Sequence, residues 1–135
     1  MSRLTPINPA DLGAPRGYSN GVLAPAGGRL LFVAGQIAWD EEQRLIGASF
    51  AEQFYRALAN VLAVVREAGG EPADVARLTV YVTDREEYLA ARKEVGAAYR
   101  ALMGKHFPAM ALVEVAALLE PKAKVEIEAT AVIPP

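Results

Sequence analysis

The segment that most constrains this chain begins at Ser49. Ser49-x-x-Glu52 is a capping box, and Phe50, Phe54, Ala57, Leu58, Val61, Leu62 and Val65 follow it at helical spacing. Gly69-Gly70 supplies the C-terminal stop. A helix with a single apolar stripe must cover one face of something. A second pattern of this kind opens at Asp84-x-x-Glu87. It runs through Tyr88, Ala91, Val95, Ala98, Tyr99 and Leu102 and ends at Gly104. Two one-sided helices predict a sheet beneath them.

The strands of that sheet are readable by alternation. Leu78 to Thr83 puts Leu78, Val80 and Val82 on one face and Thr79, Tyr81 and Thr83 on the other. Arg29 to Ala34 follows a Gly27-Gly28 turn, and Tyr18 to Ala24 precedes it, which predicts a hairpin. Ala109 to Ala117 and Lys124 to Ile133 read as two further strands joined around Pro121, a second hairpin. Hairpin, helix, strand, helix, hairpin is an α+β order with both helices on one face. No linker or repeat interrupts it, so residues 1–135 read as a single domain.

Composition excludes several classes of chemistry. With 53% hydrophobic and 22% charged residues the chain can bury a core and is not disordered. The formal net charge of −2 argues against a dedicated nucleic-acid binder, which needs a basic stripe to displace counterions. The absence of cysteine removes disulfides and thiolate chemistry, and a lone His106 removes the usual zinc sets and the Ser-His-Asp triad. His106 reads as a loop or cap residue, and Trp39 as packing or rim. Glycine-rich nucleotide motifs, the G-x-S-x-G elbow and H-E-x-x-H do not occur. Met1 to Ala10 does not read as a signal peptide and no apolar run matches a membrane span, so the expectation is a cytoplasmic protein without membrane partners.

The uncovered sheet face is the chemically interesting one. Period two places Lys124, Glu126, Glu128 and Thr130 there. The preceding strand is expected to add Met110, Leu112, Glu114 and Ala116 to the same face. Large apolar side chains beside carboxylates fit a surface covered by another subunit, or an ordinary half-solvated sheet. Glu114, Glu126 and Glu128 would be partly desolvated there, which suits general acid–base work. The alternative is that they pair with Lys124, Lys122 or a neighbour's arginine. The residues by themselves leave the covered and the half-solvated face equally open, and for the carboxylates they favour pairing over an active site.

Several motifs together resemble the Rid family, also called YjgF. Phe107 to Val132, FPAMALVEVAALLEPKAKVEIEATAV, is similar to the family's F-P-A-R, V-E-V and V-E-I-E-A run. Arg16-Gly17-Tyr18 resembles its Gly-Pro-Tyr, and Phe32 to Ile37 its strand ending S-G-Q-I. Asn60 to Gly70 is similar to its helix ending E-A-G-G, and Leu78 to Asp84 to its T-V-Y-V-x-D strand.

The resemblance implies a chorismate-mutase-like fold. Three subunits would join through their open sheet faces into a barrel, with small-molecule clefts between neighbours. It also implies hydrolysis of reactive enamines or imines to a 2-oxo acid and ammonia, as a deaminase without any cofactor. Carried over by position, the catalytic glutamate is Glu126 and the pocket tyrosine is Tyr18. The arginine that would hold the substrate carboxylate is Met110, with Leu112 beside it. A thioether cannot replace a guanidinium fork, and loss of such a clamp costs several kcal/mol of binding. The resemblance with Met110 in that place therefore implies a divergent member, not a typical 2-iminobutanoate/2-iminopropanoate deaminase. Ala34 and Gly17 are further departures, at the family's serine and proline. Arg16 and Arg92 are the candidate replacement cations. A non-catalytic small-ligand-binding or chaperone-like trimer is the other reading. Ribonuclease activity, a label attached to some relatives, has no support in the acidic balance and the single histidine.

Overall fold

The helix that begins after Ser49, α1, spans Phe50–Glu67 in a computed structural model that describes residues 3–135. Its capping box is closed in both directions, with Glu52 N–H on Ser49 Oγ and Ser49 N–H on a Glu52 carboxylate oxygen, each at 3.1 Å. At the far end Gly69 takes φ 90°. Gly69 N–H then reaches Arg66 O and Gly70 N–H reaches Val65 O, both at 2.9 Å. That pairing satisfies the last carbonyls in the Schellman manner. All seven apolar positions read from the sequence are buried. Each large one contributes about 1.5–3 kcal/mol of burial.

Among the described residues six strands form, β1 (Thr5–Ile7), β2 (Gly21–Leu23), β3 (Arg29–Gln36), β4 (Val75–Val82), β5 (Ala109–Glu114) and β6 (Val125–Ile133). The main sheet has the order β3-β6-β4-β5. β6 is antiparallel to both neighbours, and β4 and β5 are parallel. The covered face of β4 shows Leu78, Val80 and Val82, as alternation predicts. Val125, Ile127, Ala129 and Ala131 of the central strand are buried on the same face. The core lies between this face and α1, with Val95, Tyr99 and Met103 closing its side.

Five expectations are corrected. The Gly27 turn is present, but β2 pairs with β1 rather than β3, so the first hairpin is replaced by a small separate ladder. The second helix is two: α2 (Arg85–Ala90) and α3 (Arg92–Met103) meet at Ala91, which leaves helical geometry at φ −101°, ψ 9°. No glycine or proline marks this break; α2 serves Phe50, through an edge contact of Tyr88 at 5.9 Å, while α3 turns to cover the core. Asp84 caps α2 through the N–H groups of Glu86 and Glu87, but Glu87 does not return the bond and pairs with Lys124 at 2.7 Å.

The last two corrections bear on the site. β5 and β6 form no hairpin, because β4 lies between them. Consecutive strands are adjacent about two-thirds of the time, but the segment 115–124 is far longer than a tight hairpin loop. In the parallel ladder Met110 is level with Leu78, Leu112 with Val80 and Glu114 with Val82. Met110 and Leu112 therefore pack against the core on the helix-covered face, opposite to the face expected for them.

Candidate functional site

The chemistry-bearing residues divide between two places. The first is the open face of the sheet, where Glu126 stands level with Tyr81 and Glu128 with Thr79 across the β4–β6 ladder. Tyr81 donates its hydroxyl hydrogen to Glu128. That bond pushes the Tyr81 pKa above its ordinary value, with burial and the charges of Glu128 and Glu126 acting in the same direction. Lys124 is engaged with Glu87, so it does not neutralise the two carboxylates. Neither oxygen of Glu126 has a hydrogen bond or salt bridge among the described residues.

The position of Glu126 is built by a β-bulge. The register between β3 and β6 slips between Val33 and Gln36, which places one extra residue on β3 and bends it locally. Gln36 Nε2 donates to Ala34 O at 3.1 Å across this bulge. Gly35 lies within it, and the Glu126 side chain crosses directly over its backbone. A Cβ at Gly35 would come within 2.8 Å of the Glu126 carboxylate carbon. Gly35 is thus a seat for Glu126.

The second place is a cavity of about 450 Å³ on the opposite side, at the exposed edge of β5. Met110 and Leu112 form its apolar floor with Phe54, and Arg16, Arg92 and Arg100 line it. None of its lining residues is acidic, and none of the three arginines has a salt bridge among the described residues. Arg92, Gly96 and Arg100 follow at intervals of four, one ridge of α3, and the missing side chain at Gly96 leaves room along it.

Arg16 reaches this edge because its loop is tied to β5. Ser19 N–H donates to Pro108 O at 3.0 Å, the Ser19 hydroxyl donates to Phe107 O, and Ser19 bridges to Ala109. Phe107 stacks on Tyr99 with the rings 5.6 Å apart. Tyr99 donates to His106 O at 2.6 Å, and burial pushes its phenol pKa up.

Four residues singled out in the sequence therefore converge, Arg16, Arg92, Met110 and Leu112. Tyr18 lines a neighbouring cavity of about 370 Å³ with Lys105 and His106 instead. Glu126 is on the other sheet face. Glu114 is not beside Glu126 either: its carboxylate accepts the Arg85 N–H at 2.7 Å and so serves the start of α2. His106 bonds Val75 O through Nε2 at 2.7 Å, the structural role expected of it. Arg100 was missed, although its spacing from Arg92 on one helix was a usable signal.

Residues 9–133 match the family model described as endoribonuclease L-PSP. A 2-iminobutanoate/2-iminopropanoate deaminase of Escherichia coli is 38% identical over 109 residues, covering 78% of this chain and 80% of the relative. The human protein of the same description is 33% identical over 122 residues, covering 89% and 82%. Among solved structures, a Rid-family protein of unknown function from Yersinia pestis superposes with a TM-score of 0.86 at 36% identity, covering 97% of this chain and 99% of that one. The YjgF gene product of E. coli gives a TM-score of 0.66 at 34% identity, with 98% of each chain covered.

Proposed function

This chain belongs to the endoribonuclease L-PSP family, the Rid or YjgF proteins, and from that premise we propose that it is a cofactor-independent hydrolase of an imine or enamine, acting in clefts between the subunits of a homotrimer. The observation that carries this reading is the cavity in which Arg16 and Arg92 converge beside Met110. The cation absent from β5 is supplied there by other elements. E. coli and human relatives described as 2-iminobutanoate/2-iminopropanoate deaminases support the reaction class.

An intersubunit cleft follows from the faces. One protomer cannot bring its own Glu126 into its own cavity, because the sheet lies between them. The open face that holds Glu126 also carries Leu30, Phe32 and Val113, all well exposed. In the proposed trimer a neighbour packs on this apolar face, and one protomer's Glu126 meets the next protomer's cavity. The arginines hold the substrate carboxylate, and Glu126 orients a water and takes its proton as the oxygen adds to the imine carbon. Glu126 passes that proton to the nitrogen to give a carbinolamine; the carbinolamine hydroxyl then gives up its own proton to the nitrogen as the C–N bond breaks, ammonia leaves and a 2-oxo acid remains. Placing the anion on Arg16 and Arg92 shifts it away from position 110, so 2-iminopropanoate is expected to be turned over weakly.

Ammonia release from a panel of imino acids, formed in situ by an amino-acid oxidase, tests this. Wild type should exceed a Glu126→Gln variant on at least one substrate, and Met110→Arg should raise the rate on 2-iminopropanoate. Parity of wild type with Glu126→Gln across the panel would reject the hydrolase. The second reading, a ligand-binding trimer without turnover, is favoured by the same separation of Glu126 from the cavity within one protomer. It predicts ligand-dependent stabilisation with no product.

A further inference from the structure

Position 110 carries no charge, yet among the described residues the cavity around it has three guanidinium groups and no carboxylate. Like charges gathered without partners repel one another, so such a cluster acts as a positive field that concentrates anions. Gly17 accounts for one of them. Its φ is 78°, a value that the proline of the resembled Gly-Pro-Tyr motif cannot take, since the ring holds φ near −65°. The left-handed turn at Gly17 separates its neighbours: Arg16 lines the cavity over Met110, while Tyr18 turns into the adjoining one.

The floor tells the other half. Phe54, Met110 and Leu112 are apolar, with Tyr88, Val95 and Phe107 around them. A methionine adapts its shape to aromatic and branched groups. The volume, about 450 Å³, lies in the range of sites for ligands much larger than a three-carbon acid.

The geometry points to a substrate class: 2-imino acids with a bulky apolar or aromatic side chain, the carboxylate held by Arg16, Arg92 and Arg100 and the side chain lying on Phe54, Met110 and Leu112. This deepens the hydrolase reading and rests on the cavity being the ligand half of that cleft. The expected gain is the burial of a benzyl or isobutyl group in place of a methyl, on the order of tenfold to a hundredfold in affinity.

The 2-oxo acid products are stable and need no turnover, so calorimetric titration of the intact protein with phenylpyruvate and with pyruvate is the test. Phenylpyruvate should bind at least about tenfold more tightly than pyruvate, the range set by the buried apolar group. Arg92→Ala with Arg100→Ala should abolish that binding while the melting temperature stays close to wild type. Gly17→Pro, which forces the loop onto another path, should weaken phenylpyruvate binding without unfolding the sheet. Equal affinity for the two acids would overturn the substrate class and leave the hydrolase standing. Binding that survives removal of both arginines would overturn the anion site. No binding of either acid by a protein that nonetheless releases ammonia in a Glu126-dependent manner would overturn the cavity assignment alone.

Discussion

Replacing Gly35 by alanine would test whether the bulge exists to seat Glu126. Gly35 has no left-handed φ, so its backbone accepts alanine. The obstacle is the new methyl, 2.8 Å from the Glu126 Cδ and 3.0 Å from its Cγ, where carbon atoms prefer about 3.5–4.0 Å. The flexible side chain must yield, at a cost of about 0.5–1.5 kcal/mol for a displaced rotamer. Added strain brings the total to about 1–2 kcal/mol. Loss of glycine's freedom in the unfolded chain returns about 0.4–1 kcal/mol. The net is a destabilisation of roughly 1 kcal/mol, or a fall of about 3–5 °C in Tm for a chain of this length.

A double-mutant cycle isolates the contact. With Glu126→Ala already made, Gly35→Ala has nothing to strike, and it should become neutral or stabilising. The coupling between the two positions should be about 1–2 kcal/mol, well above the scatter of independent sites. Chemical denaturation of the four proteins measures it. Under the proposed hydrolase reading, in which Glu126 orients water, a displaced carboxylate matters more for catalysis than for stability: ammonia release by Gly35→Ala should approach that of Glu126→Gln. Equal stability costs of Gly35→Ala in both backgrounds would refute the packing argument, whatever the activity does.

Three further outcomes are expected. Phe32 is 75% exposed on the open face, and Phe32→Glu should turn the proposed trimer into monomers in sedimentation with its circular dichroism retained; a persisting trimer would place the interface elsewhere. The Tyr81 pKa is raised chiefly by its bond to Glu128, so the folded state keeps this proton longer than the unfolded chain and stability should fall as pH climbs above about 10. Glu128→Gln should bring the tyrosinate absorbance midpoint of Tyr81 back down, and an unmoved midpoint would mean the bond is not the cause. Gln53 is 2% exposed and ties Lys122 O and Lys124 N–H to α1, so Gln53→Leu, which strands buried backbone groups, should cost about 2–3 kcal/mol in urea denaturation; a loss below ~0.5 kcal/mol would show that water replaces the amide.

Much of the fold was legible because its signals are local. The Ser49 box, the stripe from Phe50 to Val65 and the Gly69-Gly70 stop each depend on residues within a turn or two. The alternation of Leu78 to Thr83 depends only on the pleat. The Ala91 break was not legible, since alanine favours the helix it interrupts, and it answers to the packing of Tyr88 on Phe50 and of α3 on the core. The three N-terminal residues of β1 are too few to carry a period. Arg16 and Arg92 could be named as cations, but not as neighbours, because one rides on a loop and the other on α3.

The face on which each strand residue lies follows the same division. Within β6 the parity of Glu126 and Glu128 is local, and the sequence by itself determined it. The parity of Met110 relative to Glu126 depends on which strand β5 pairs with, and in what register. A one-residue change of pairing carries a whole strand to the opposite face. Only the tertiary structure decided that β5 lies parallel to β4, with Met110 level with Leu78 and the sheet standing between Met110 and Glu126. The physical reason is that strand pairing is a contact between distant residues, selected by burial of the whole sheet against α1 and α3, and no local period encodes it.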